Sequence, residues 1–121
     1  TIGHALECVS GYSLTHGEAA ALGMMAEGQI ALRLGVFSET GYNRMCALFR
    51  AYGLPLHTKK SLSAHDIWDA MMIDKKSLHR HPRIVLLSDI GVPCYDASNV
   101  LFEVQKSLVI TGIEQIYPPC H

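Results

Sequence analysis

The apolar segment between Thr15 and Gly35 restricts the fold of this chain more than any other feature. Thr15 and Glu18 have the spacing of a helix capping box, in which each side chain accepts a hydrogen bond from the other residue's backbone N–H. Apolar side chains then recur on nearly every side of the predicted helix, which is typical of a helix buried at the centre of a bundle. Gly23 and Gly28 disfavour a helix, so we expect neighbouring elements to pack closely against them. We expect Gly35 to end the helix.

Shorter helices are predicted on either side of this segment. Residues 1–9 read as the end of a helix that begins upstream. A helix over 39–52 follows the N-cap Ser38, and another begins at Ser63 and runs into 74–76. The residues expected to face inward on the helix over 39–52 are Met45, Leu48, Phe49 and Tyr52.

The C-terminal third is expected to hold a small hairpin and a last helix. Residues 83–87 form a short apolar strand, and 92–95 could return beside it, with Pro93 limiting that strand to an edge. A helix over 97–110 would be capped by Asp96. Its predicted inward residues are Val100, Leu101, Val104 and Leu108. The predicted fold class is mainly α, a multi-helix domain with one small β-hairpin.

Composition excludes several classes of protein. A formal net charge of -1 argues against nucleic-acid binding, which requires a positive surplus. The most apolar stretch, 19–37, contains Glu27 and Arg33, so we expect no membrane span and no membrane partner. The four cysteines form no Cys-x-x-Cys pair, which disfavours a structural zinc cluster and is typical of reduced thiols in a cytoplasmic protein.

His4 and His16 are the first candidates for chemistry. A short loop separates their two helices, so the imidazoles could converge on one cleft. Imidazole is both a zinc ligand and the usual proton carrier near neutral pH. Catalytic zinc requires three protein ligands, however, so spacing alone favours a plain helix histidine and a bystander at the helix start.

Lys75 and Lys76 are the second candidates. Two lysines after Asp74 at a helix end could bind a phosphate as point charges. Cations are also favoured at any helix C-terminus, and this simpler explanation is preferred when the residues are considered alone.

Several short motifs together resemble the 3-dehydroquinate synthase family. The first two are Gly3-His4-Ala5-Leu6-Glu7 and, after Tyr12, the run from His16-Gly17-Glu18 to Met24. In the same order follow Gly53-Leu54-Pro55, Met72-Ile73-Asp74-Lys75-Lys76, Ile84-Val85-Leu86-Leu87 and Ile90-Gly91. The resemblance covers nearly the whole chain, and the combination of motifs at this spacing is fairly specific.

The resemblance implies the C-terminal helical metal- and substrate-binding domain, over 1–121, of an NAD- and metal-dependent lyase of the shikimate pathway. That enzyme converts 3-deoxy-D-arabino-heptulosonate 7-phosphate to 3-dehydroquinate and phosphate, as a step in aromatic amino acid and chorismate biosynthesis. By motif, His16 matches a metal ligand, for zinc or cobalt, and His4 matches a proton-transferring histidine near the substrate phosphate. Lys75 or Lys76 matches a phosphate-contacting lysine, and Lys75 is preferred.

The same resemblance implies that much of the active site lies outside this chain. The family's second histidine ligand would stand just before Thr1, and a glutamate ligand and the NAD-binding domain belong further upstream. The chain alone is therefore expected to be inactive and to bind neither NAD nor metal tightly. A cytoplasmic homodimer is expected for the full-length enzyme. The family often has a glycine where this chain has the loop 77–82.

Three alternatives stay open on sequence grounds. Another sugar-phosphate cyclase would share this helical domain and differ mainly upstream. A metal-dependent alcohol dehydrogenase relative would share a histidine-rich helical domain, although Glu18 and the Asp74-Lys75-Lys76 motif favour the synthase. A non-catalytic helical interaction module would have affinity for neither metal nor phosphate.

Overall fold

A computed structural model describes residues 1–58, 62–76, 82–96 and 99–118, with the side chains of 74–76 left undescribed. The helices and strands within these residues follow in chain order. They are α1 (Ile2–Val9), α2 (His16–Arg33), α3 (Glu39–Ala51), α4 (Ala64–Lys76), β1 (Arg83–Val85), β2 (Leu87–Asp89), β3 (Val92–Pro93), β4 (Leu101–Glu103) and α5 (Lys106–Glu114).

Helix α2 lies at the centre of the bundle and contacts α1, α3 and α5. The predicted capping box is confirmed: the Glu18 N–H donates to Thr15 Oγ1 at 3.2 Å, and the Thr15 N–H donates to Glu18 Oε1 at 3.0 Å. Helix α2 ends at Arg33, and Gly35 follows with a φ of +75°, as expected of a glycine stop. Its buried side chains include Leu22, Ala26 and Ile30, which lie in the main core.

The two helix glycines allow the close packing that the sequence predicted. A Cβ added at Gly23 would lie 2.7 Å from the backbone nitrogen of Gly3, so α1 and α2 meet backbone to backbone. At Gly28 an added Cβ would lie 2.9 Å from the Tyr42 ring and 3.0 Å from Met45 Cε, so α3 fills that space with side chains. Both contacts draw neighbouring helices onto α2.

Helix α3 has a narrower buried face than predicted. Ser38 Oγ caps it by accepting from the Gly41 N–H at 2.9 Å, and Met45 and Phe49 are buried as expected. The prediction was wrong for Leu48 and Tyr52, whose exposed fractions are 54% and 77%. The physical reason is that the residues buried against the bundle follow one line along the helix, and Leu48 and Tyr52 lie off it. The buried residues of this line are Gly41, Tyr42, Met45 and Phe49.

The predicted helix over 97–110 is wrong over the described residues 99–105. Residues Leu101–Glu103 form β4, which pairs antiparallel with β1, and Phe102 lies opposite Ile84. Phe102 is partly buried while both of its neighbours are exposed, which is the period-two pattern of a strand and not the helical period that was assumed. Helix α5 begins only at Lys106, after Gln105, so Asp96 is not its N-cap.

Among the residues expected to face inward here, Leu101 is exposed and the others are partly buried. The partly buried ones are Val100, Val104 and Leu108.

The predicted hairpin forms, but the first strand is divided in two. Residues Leu87–Asp89 pair antiparallel with Val92–Pro93 around Ile90 and Gly91, and Gly91 has a φ of +75°. The upstream piece, β1, pairs with β4 instead. The described residues are therefore mainly α with a small hairpin, as predicted, and β1 and β4 add a two-stranded pairing to them.

Two other expectations concern the membrane and the thiols. Within the described residues, no helix is long and apolar enough to cross a membrane. Cys8, Cys46 and Cys94 are free thiols, as predicted, although Cys8 is exposed and not in the core. Cys120 lies outside the described residues.

Candidate active site

The turn between α1 and α2 directs the two helices toward each other. Gly11 has a φ of +65°, its N–H donates to the Cys8 carbonyl, and the Tyr12 N–H donates to the Glu7 carbonyl at 2.9 Å. These two bonds are the Schellman pattern that ends a helix and reverses the chain. Tyr12 also has a positive φ, 61°, which is uncommon for a residue with a Cβ. The reversal places α1 along α2.

His4 and His16 meet on one carboxylate as a result. His16 Nδ1 lies 3.0 Å from Glu7 Oε1, and His4 Nδ1 lies 3.5 Å from Glu7 Oε2. The Glu7 side chain is 13% exposed, whereas the side chains of His4 and His16 are 62% and 87% exposed. Each imidazole therefore faces Glu7 through Nδ1, and more than half of each histidine side chain is exposed.

Both histidines line one shallow cleft between α1 and α2. Its volume is about 260 Å³, and it runs beside the Gly3–Gly23 contact. Its lining residues are Thr1, Gly3, His4, His16, Ala20, Gly23, Met24 and Glu27. The convergence of the two imidazoles that the sequence suggested is thus present in the fold.

Glu27 is a cleft residue that sequence reasoning missed. In the sequence it served only as a charge that argues against a membrane span. In the fold it lies on one side of the cleft and is partly buried. Burial raises the pKa of Glu27 to about 7, because a charged carboxylate is less well solvated inside the protein than in water. Its position inside an otherwise apolar helix was the available signal.

The two candidate lysines, Lys75 and Lys76, lie at the end of α4. Helix α4 continues through Lys76 and packs against α1, so the backbone of Lys75 belongs to an element that borders the histidine-bearing helix. The side chains of Lys75 and Lys76 lie outside the described part of the structure, as do residues 77–81. Their predicted contact with phosphate stays a prediction.

The described residues can supply one metal ligand and not a complete metal site. In the parts of the chain with described side chains, no group of three or more His, Cys, Asp or Glu side chains could hold a metal ion. His16 nevertheless has the arrangement of a metal-binding histidine, because its Nδ1 is held by a carboxylate and its Nε2 is left for a ligand. The chain can therefore supply His16 to a metal site that other residues complete.

Comparison with known proteins identifies the origin of this arrangement. The family model described as 3-dehydroquinate synthase C-terminal matches residues 1–77, which contain both histidines and Glu7. The chain belongs to the 3-dehydroquinate synthase family. The matched range begins with the α1–α2 pair and ends just after the two candidate lysines, so the motifs that carried the resemblance lie mostly inside it.

Curated 3-dehydroquinate synthases are similar over most of the chain. The enzyme from Nostoc punctiforme is 44% identical over 93 residues, which is 76% of this chain and 26% of that protein. The enzyme from Crocosphaera subtropica is 37% identical over 113 residues, which is 87% of this chain and 31% of that protein. The chain thus spans between a quarter and a third of these relatives.

A solved structure of a related enzyme has the same fold. 2-Deoxy-scyllo-inosose synthase, complexed with carbaglucose-6-phosphate, NAD+ and Co2+, superposes with a TM-score of 0.83 at 28% identity. The match covers 94% of this chain and 32% of that chain. This likeness supports the relationship to sugar-phosphate cyclases that the sequence suggested.

Proposed function

We propose that this chain is the C-terminal part of a 3-dehydroquinate synthase that converts 3-deoxy-D-arabino-heptulosonate 7-phosphate to 3-dehydroquinate and phosphate. The observation that carries the proposal is the meeting of His4 and His16 on Glu7 at the edge of one cleft. Two imidazoles with oriented rings, in a family named for this reaction, supply a metal ligand and a proton carrier.

In this proposal the two histidines have different roles. His16 is the metal ligand, since its ring is the more exposed and its Nδ1 makes the shorter contact with Glu7. His4 lies on the neighbouring helix and moves a proton near the substrate phosphate. Lys75 or Lys76 gives the leaving phosphate a cationic partner. A bound divalent metal, zinc or cobalt, would polarise the substrate hydroxyl that is oxidised, and NAD would accept the hydride.

The proposal assigns the remaining parts to the complete protein. An N-terminal domain binds NAD, and residues upstream of Thr1 provide the other metal ligands, since the relatives are three to four times as long as their match to this chain. The complete enzyme is a cytoplasmic homodimer. The 121 residues alone are expected to have no synthase activity and weak affinity for metal. Turnover by the chain alone would contradict this division of the site.

A metal-binding measurement on the complete polypeptide tests the proposal. His16→Ala should weaken Co²⁺ binding at least tenfold, because one of about three protein ligands is removed. His57→Ala is the matched control, since His57 lies in an exposed loop away from the cleft. Equal Co²⁺ affinity in wild type and His16→Ala would remove the basis of the enzyme assignment.

A second candidate function is that of another sugar-phosphate cyclase. It is favoured by the likeness to 2-deoxy-scyllo-inosose synthase over nearly the whole chain. The two candidates differ in substrate, so the complete protein should be assayed for phosphate release from 3-deoxy-D-arabino-heptulosonate 7-phosphate with carbaglucose-6-phosphate as a competitor. Turnover that the competitor does not inhibit supports the dehydroquinate synthase. No turnover, with tight binding of the competitor, supports the alternative.

A further inference from the structure

Glu7 is the polar side chain on which the two site histidines meet, and it is the least exposed of the three. Its Oε1 contacts His16 Nδ1 at 3.0 Å and its Oε2 contacts His4 Nδ1 at 3.5 Å. The residue sits one helical turn after His4 on α1, so its distance to His4 is set within the helix. Its contact with His16 spans the α1–α2 turn and depends on the packing of Gly3 against Gly23.

The backbone around Glu7 is also held in place. Its carbonyl accepts from the Tyr12 N–H at 2.9 Å and from Ser10 Oγ at 3.0 Å. The end of α1 is therefore fixed at the residue whose side chain reaches α2. Because these bonds already hold Glu7 in place, little further conformational entropy is lost when its carboxylate contacts the imidazoles.

The chemistry of a carboxylate explains why a glutamate is suited to this position. Both oxygens of an ionised carboxylate accept hydrogen bonds and neither donates, so the His16 imidazole bonded to Glu7 carries its proton on Nδ1. The lone pair of that ring then lies on Nε2, on the side turned away from Glu7. An amide could accept from one ring only, because its other end is a donor.

We propose that Glu7 is a positioning residue that sets the tautomer and ring orientation of His16, while its second carboxylate oxygen faces His4. This inference rests on the proposed function, since it assumes that His16 binds the metal. In His16 the bond to Glu7 leaves Nε2 as the metal-binding atom. His4 makes a longer contact with the same carboxylate, at 3.5 Å from Oε2, which orients its imidazole toward Glu7 without fixing its tautomer. One side chain thereby couples the orientation of the metal ligand to that of the proton carrier.

A double-mutant cycle in the complete polypeptide tests the role of Glu7. Co²⁺ dissociation constants would be measured for wild type, Glu7→Gln, His16→Ala and the double variant, by competition with a chelator. Glu7→Gln keeps the size of the side chain and should weaken Co²⁺ binding by about 10- to 100-fold, the usual effect of removing a partner of a metal-bound histidine. In the His16→Ala background the same change should have little effect. Glu39→Gln, on the exposed start of α3, is the matched control for loss of one carboxylate.

The outcomes separate this inference from the proposed function. If His16→Ala weakens Co²⁺ binding and Glu7→Gln does not, Glu7 has no positioning role and the proposed function stands. Equal effects of Glu7→Gln in both backgrounds would also overturn the inference, because they would indicate a general loss of structure. If His16→Ala has no effect, the proposed function fails with it. Should Glu7→Gln not fold, Glu7→Asp carries the same cycle, and its effect must again depend on His16.

Discussion

The backbones of Gly3 and Gly23 are in direct contact, so close that a Cβ on Gly23 would lie 2.7 Å from the nitrogen and 2.9 Å from the Cα of Gly3. This contact sets the separation of α1 and α2. Since His4 follows Gly3 and His16 begins α2, it also sets the distance across which Glu7 can reach both imidazoles.

Gly23→Ala should therefore affect both stability and the site. The added methyl meets backbone and not a flexible side chain, so the helices must separate, at an expected loss of about 1–3 kcal/mol in the free energy of unfolding. Urea denaturation would measure this loss. Gly17→Ala is the control, because nothing lies within 4 Å of a Cβ there, and it should be neutral or stabilising. A neutral Gly23→Ala would show that the contact can relax without cost.

Thr15→Ala should destabilise α2 at its start. The change removes the acceptor for the Glu18 N–H and leaves one half of the capping box, with an expected loss of roughly 1 kcal/mol. Thr15→Ser should restore most of the stability because the hydroxyl returns. Thr40→Ala, an exposed threonine in the first turn of α3, is the control and should cause no loss. Thermal unfolding of the four proteins would compare them.

Glu27 should make stability depend on pH in a window set by its raised pKa. Its folded pKa is about 7 against an ordinary value of 4.5, so the folded state binds more protons than the unfolded state between these values. The contribution of Glu27 to stability is fully present below pH 4.5 and is lost as the pH rises through about 7. The loss amounts to roughly 3 kcal/mol at most.

A comparison of Glu27→Gln with wild type would measure this effect. The amide stays neutral, so the variant should gain stability relative to wild type as the pH rises from 4.5 to 7 and keep that gain above pH 7. Other titrating groups cancel in the difference between the two proteins. A difference that does not change over this range would contradict the raised pKa.

Alanine substitution should decide which lysine at the end of α4 contacts the substrate phosphate. Loss of a charged hydrogen bond worth ~1.5–3 kcal/mol should lower kcat/KM by about 10- to 100-fold for one of Lys75→Ala and Lys76→Ala. We expect the larger effect at Lys75. Lys106→Ala, on the exposed first residue of α5, is the control. Assays of the complete enzyme with no effect from either variant would remove both lysines from the site.

The sequence predicted best where the cause was local. The capping box at Thr15, the N-cap at Ser38 and the glycine stop at Gly35 each depend on residues within a few positions of one another, and each is found in the fold. Local chemistry such as capping and positive φ can be read without knowing what packs nearby. The close contacts at Gly23 and Gly28 could also be anticipated, because glycine disfavours a helix and its presence inside one indicates close packing by a neighbour.

The sequence failed where a distant partner decided the outcome. Leu101 and Phe102 have apolar side chains that suit a helix or a strand, and the pairing of Phe102 with Ile84 selects the strand. Likewise, the spacing of Leu48 predicts that it lies on the buried face of α3. The buried residues of that helix instead follow a line through Met45 and Phe49. Helical periodicity predicts which face of a helix is apolar, and only the packing shows how much of that face is buried.

The amino-acid sequence alone determined the helical class, the main helix ends and the motifs that connect His4, His16 and the Asp74-Lys75-Lys76 run to one family. The tertiary structure decided that Glu7 joins the two imidazoles and that Glu27 lies beside them in a cleft. The physical reason is range: capping and turn formation act over a few residues, whereas a shared carboxylate and a buried acid exist only once two helices have packed together.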